Sequence, residues 1–60
     1  MSANNVITIN KKSFVVKEID IETRHGNVIG KGKNLEQAVE IAQGQMKQGY
    51  VEYGIQFVED

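Results

Sequence analysis

Few residues in this chain could do chemistry, and their spacing argues against catalysis. His25 is the one histidine, there is no cysteine, and His25 stands beside Gly26 in a stretch that reads as the tip of a turn. A general base needs a partner held beside it in a pocket, so His25 reads as a solvated turn residue. Glu18, Asp20 and Glu22 alternate along a strand-like segment as the carboxylates of a metal or acid/base site would. Lysines expected across the neighbouring turn make that row a solvated face of ion pairs instead. Gly26, Gly30 and Gly32, with Lys31 and Lys33, match neither a phosphate-binding loop nor a dinucleotide fingerprint, and read as turn and packing glycines. The expectation is a protein that is not an enzyme, with no catalytic residue, no cofactor, no metal ligand and no small-molecule substrate.

Length and composition set the scale of what must position any site. A 60-residue chain has room for one domain, and such a chain buries only about 60% of its unfolded surface. Without cysteine neither disulfides nor a zinc site can supplement the core, which raises the odds of a dimer. Hydrophobic residues at 40% and charged residues at 25% are the proportions of a globular protein. The opening Met1-Ser2-Ala3 lacks a basic-then-apolar leader and no run approaches transmembrane length, so the chain reads as cytoplasmic, with no membrane partner. Net charge is −1, unevenly divided: residues 1–33 hold six Lys/Arg against three acids, and residues 34–60 one Lys against five. Only the first half is suited to meeting an anion.

Hydrophobic periodicity predicts an α+β fold in the order β-β-β-α-β. Residues 1–5 are small and polar and read as a flexible N-terminus, with residues 6–60 as the single domain. Val6 to Ile9 is a β-branched first strand, Asn10 to Ser13 a turn, and Phe14 to Thr23 a long second strand with Val15, Ile19 and Ile21 on one face and Glu18, Asp20 and Glu22 on the other. A hairpin at Arg24–Asn27 leads to a third strand from Val28 to Lys33. A loop at His25-Gly26 places Glu18 opposite Lys33 and Asp20 opposite Lys31; one at Gly26-Asn27 places Asp20 opposite Lys33 and Glu22 opposite Lys31. Gly30 and Gly32, beside Ile19 and Ile21, lack the bulk that would keep a helix away. That helix starts at an Asn34 cap with Gln37 three residues on, repeats Leu35, Ala38, Val39, Ala42 and Met46 at helical spacing, and stops at Gly49. Gly44 inside it is a weak point. Val51, Tyr53, Ile55 and Phe57 form the apolar face of a fourth strand. A right-handed return brings that strand parallel to the first, so the sheet, antiparallel in its first three strands, takes the order 3-2-1-4 with one helix on one face.

Two surfaces follow. A two-residue loop at Lys11-Lys12 pairs Ile9 with Phe14 and Ile7 with Val16, which puts Ile7, Ile9, Phe14 and Val16 together on the face away from the helix. Tyr50 and Val58 could extend this apolar patch. An uncovered patch of this kind suits self-association or a protein partner. The second surface is basic: Lys11, Lys12, Lys17, Arg24, Lys31 and Lys33 crowd the hairpin half, and a three-stranded sheet fits a DNA major groove. Glu36 and Glu40 on the outer helix face offer a further contact to a basic partner.

Residues 14–48, whose strand and turn lead through Gly-Lys-Gly-Lys-Asn-Leu-Glu-Gln-Ala into a helix, resemble the arm-type DNA-binding domain of tyrosine recombinases and the related AP2 fold. The resemblance implies roles for Lys31, Lys33, Asn34 and Ala38 as the basic strand end, helix cap and inner-face alanine of that family. This chain departs from the pattern in a fourth strand, and in Glu18, Asp20 and Glu22 on a sheet face where phosphates would be repelled. The second half, Asn34-Leu35-Glu36-Gln37-Ala38-Val39-Glu40-Ile41-Ala42 followed by Val51-Glu52-Tyr53-Gly54-Ile55, is similar to short early proteins of phages and prophages. That similarity implies a viral protein that binds a host protein. The function expected is therefore a small interaction protein, acting on a protein partner or as a homodimer through Ile7, Ile9, Phe14 and Val16, with a DNA-binding module as the alternative.

Overall fold

A computed structural model describes residues 5–48 and 54–59. Its elements are β1 (Asn5–Asn10), β2 (Val15–Asp20), β3 (Gly26–Lys31), α1 (Leu35–Gln48) and β4 (Ile55–Val58). The four strands form one sheet in the order β3-β2-β1-β4. β1 pairs antiparallel with β2, β2 antiparallel with β3, and β4 runs parallel to β1. This is the β-β-β-α-β order and the 3-2-1-4 arrangement that the hydrophobic pattern predicts, in a mixed sheet with one helix packed on it. Gly49, Tyr50, Val51 and Tyr53 lie outside the described residues, as does the N-terminus before Asn5; β1 begins at Asn5, one residue ahead of the expected strand.

The helix forms where its cap is. Asn34 Oδ1 accepts the Gln37 N–H at 2.8 Å, and Gln37 Oε1 reaches back to accept the Lys33 N–H at 2.7 Å, so two donors at the helix start are satisfied by side chains. Ala38 and Ala42 are fully buried on its inner face, and their small size brings the helix close to the sheet. Gly32 is what permits this approach at the N-terminal end. A Cβ there would lie 2.6 Å from the Ala38 nitrogen and 2.9 Å from the Asn34 oxygen, against backbone that cannot yield. At Gly30 the side chain of Ile41 takes the space instead, 3.5 Å from where a Cβ would stand.

The core overturns one expectation. Ile7, Ile9 and Val16 do share a sheet face, but it is the face beneath the helix: all three are fully buried with Ala38 and Ala42, and Phe14 packs half-buried against them. The patch expected from Ile7, Ile9, Phe14 and Val16 is thus the hydrophobic core rather than an exposed interface. The error lies in register. The first hairpin loop is Lys11–Phe14 rather than two residues, so Ile9 faces Val16 and Ile7 faces Glu18, an even shift that leaves these residues on one common face. The second loop is Ile21–Arg24, with the Asp20 N–H bonded to the His25 carbonyl, and β3 then carries an extra residue, Ile29, where its pairing passes from Val16↔Gly30 to Lys17↔Val28. A bulge of this kind shifts every later residue to the opposite face. Gly30 therefore lies on the face of Val16, and the helix follows the glycines there instead of covering Ile19 and Ile21.

Candidate interaction face

Because side chains alternate along a strand, the residues between the buried ones point away from the helix. On that second face β1 presents Val6 and Thr8, β2 presents Val15, Lys17 and Ile19, β3 presents Val28 and Lys31, and β4 presents Gln56 and Val58. The cross-strand pairs Thr8↔Lys17, Lys17↔Val28 and Val15↔Lys31 interleave lysines with branched apolar residues. Val6 and Thr8 are buried at the centre, Val15, Ile19 and Val58 are half-buried, and Val28 is 63% exposed. None of the described strand residues on this face is acidic.

The carboxylates expected there are engaged elsewhere. Glu18 lies on the helix side, where its oxygens accept from Gln45 Nε2 at 2.7 Å and from Asn5 Nδ2, tying helix, β1 and β2 together. Asp20 closes the second loop: its Oδ1 accepts the N–H groups of Glu22 at 2.9 Å and Thr23 at 3.3 Å. Glu22 sits in that loop, off the strands. The expected ion-pair row of Glu18 or Asp20 with Lys31 or Lys33 does not form, since Lys31 faces Val15 and Glu18 faces Asn27.

Both hairpin loops are built the same way. Asn10 Oδ1 accepts the N–H groups of Lys12 and Ser13, each at 2.8 Å, as Asp20 does in its own loop. In each loop the N–H four residues on returns to the Asx carbonyl, Phe14 to Asn10 at 2.9 Å and Arg24 to Asp20 at 2.7 Å. Phe14 (φ 61°) and Arg24 (φ 64°) end their loops in the left-handed region that favours glycine. For Phe14 the strain is offset by packing of its ring on the core; Arg24 is exposed, with no such compensation in its burial.

These loops separate the basic residues. Lys11 and Lys12, in the first loop, share one end of the sheet with Lys31 and Lys33, because Gly32 N–H bonds the Phe14 carbonyl there at 2.9 Å. Arg24 is at the opposite end, and Lys17 lies mid-strand on the open face. Lys11 is already occupied, its Nζ 3.5 Å from Glu59 Oε2, in an exposed pair worth little in stability. Sequence reasoning missed Val15, Ile19 and Val28 as surface residues. Asn10 and Asp20, each able to cap a four-residue loop, were a signal for the pairing register, but the faces turn on the bulge at Ile29, for which the sequence carries no clear signal.

Among the described residues no group of three or more His, Cys, Asp or Glu could hold a metal ion, and no helix is long and apolar enough to cross a membrane. His25 is exposed, its backbone N–H donating to Thr23 Oγ1 at 3.3 Å within the second loop. On the outer side of the helix Glu36 and Glu40 are exposed, as expected. No family model, curated protein or solved structure matches this chain.

Proposed function

We propose that this chain is a non-enzymatic binding module that takes its partner on the open face of the sheet. One observation carries the reading: Val28, 63% exposed, sits directly across from Lys17 on a face whose described strand residues include no carboxylate. A branched apolar centre with flanking amines suits a partner surface that is apolar in the middle and acidic at its rim. The phage or prophage setting proposed from residues 34–55 would make that partner a host protein.

The test compares the tagged wild-type chain with Val28→Asp and Lys17→Glu, each purified from host cells with its bound proteins identified by mass spectrometry. One species recovered with the wild type and lost with both variants, whose folding is unchanged by circular dichroism, supports the proposal. Equal recovery with all three rules the open face out.

A second reading, a small DNA-binding module, gains from the same geometry. Glu18 and Asp20 are removed from the face where they would repel phosphates, and Lys17 and Lys31 remain on it with Lys12 and Lys33 at its end. Such binding must weaken steeply with salt as counterions are released. A duplex gel shift that appears at low salt, fades as salt rises and is lost in Lys17→Glu supports DNA. No shift at low salt removes it.

A further inference from the structure

The two outer strands end the sheet in different ways. The β3 edge carries the bulge at Ile29, Gly26 and Gly30, and terminates in Lys31. Bulges and edge lysines discourage another strand from pairing there. Within β4 itself, Ile55–Val58, none of these devices occurs; Gly54, at φ 76°, precedes it. Residues 54–58 read Gly-Ile-Gln-Phe-Val, without charge or proline and in unbroken register with β1. The next acid, Glu59, is drawn to Lys11 at 3.5 Å.

The ladder fixes which backbone groups face outward. Ile7 N–H donates to the Gly54 carbonyl and Lys11 N–H to the Val58 carbonyl, both at 2.9 Å, while Ile7 and Ile9 stand opposite Ile55 and Phe57. In a parallel pair this directs the groups of Gly54, Gln56 and Val58 toward β1, and leaves the N–H and C=O of Ile55 and Phe57 pointing out. Among the described residues no strand lies beyond them. The helix packs on β1, β2 and β3, so Phe57, on the helix side of β4, is 50% exposed.

We propose that β4 pairs antiparallel with β4 of a second copy, about a twofold axis perpendicular to the sheet. Ile55 of one copy stands opposite Phe57 of the other, Gly54 opposite Val58, and Gln56 opposite its own counterpart. This register keeps every paired residue within the uncharged stretch, whereas a shift of two residues brings Glu59 opposite Ile55. A second copy suits this edge because it brings the same uncharged, proline-free and unbroken strand to both sides: the outward N–H and C=O of Ile55 and Phe57 in one copy meet those of Phe57 and Ile55 in the other. The two four-stranded sheets become one continuous sheet, with both helices on one side, both Phe57 rings between them, and both open faces together on the other side.

The experiment is sedimentation equilibrium of the full chain from about 1 µM to about 1 mM, beside a synthetic chain methylated at the Phe57 amide nitrogen. Methylation removes an outward donor and crowds the edge, yet spares every side chain and the β1 ladder. The expected result is a monomer–dimer equilibrium whose dissociation constant rises at least about tenfold on methylation, with an unchanged circular dichroism spectrum. Independently, Gln56→Cys in this cysteine-free chain is expected to give a disulfide-linked dimer when reductant is removed, since directly opposed residues at a non-hydrogen-bonded position lie about 4.5 Å apart between Cα atoms. A wild-type chain monomeric throughout that range overturns the proposal, and so does a dimer indifferent to both changes.

Discussion

The two faces of this sheet are made from the same kinds of residue and do opposite things. Ile7, Ile9 and Val16 on one face are fully buried, while Val28 on the other is 63% exposed. Hydrophobicity does not separate them: valines and isoleucines occur on both. What separates them is where a helix with Ala38 and Ala42 on its inner side can come close, and that approach requires Gly32, where a Cβ would stand 2.6 Å from the Ala38 nitrogen. The difference teaches that in so small a domain one close helix contact chooses the core, and on the other face exposure grows from the buried Val6 at the centre to Val28 on β3.

Breaking the covered face has the largest expected effect. Ile9→Ala leaves a cavity under the helix and costs about 2–5 kcal/mol, read as a fall in the urea midpoint. Gly32→Ala comes next: with the Ala38 nitrogen 2.6 Å from the new Cβ, the helix start must move, at a cost of about 1–3 kcal/mol in the same assay.

How much of this was legible in the sequence divides along the same line. The strands and helix were readable because β-branched runs, the Asn34–Gln37 cap and the alanine stripe are local signals, and the order 3-2-1-4 followed from the handedness of the crossover. That Gly30 and Gly32 mark the helix contact was readable too. Which face they mark was not, since it depends on one bulge: both loops shift the pairing by an even number of residues and leave the faces as expected. Asn10 and Asp20 each close a four-residue loop where a two-residue turn was expected, and Ile29 adds the residue that moves Gly30 to the face of Val16. A single-residue slip exchanges the faces of a strand, so the grouping of Ile7, Ile9 and Val16 was right while their exposure was not. Phe14 misled further, because its φ of 61° takes it out of the strand and into the loop.

Smaller effects sharpen the comparison. Gly44 has nothing within 4 Å of a built Cβ, unlike Gly32, so Gly44→Ala is expected to raise stability by about 0.5–1 kcal/mol, seen as a higher Tm. Val28→Ser on the open face is expected to change stability by no more than about 0.5 kcal/mol, although it alters the centre of the proposed partner surface. Matched substitutions at Ile9 and Val28 thus differ mainly because of what lies above each side chain.

Exposure of the methyl groups to a dissolved paramagnetic probe, read by NMR on the full chain, tests the assignment of the two faces most directly. The Val28 methyl signals should broaden strongly with probe concentration, while those of Ile7, Ile9 and Val16 stay sharp. Strong broadening at Ile7 and Ile9 with protection at Val28 would contradict it, and would return the core residues to the surface.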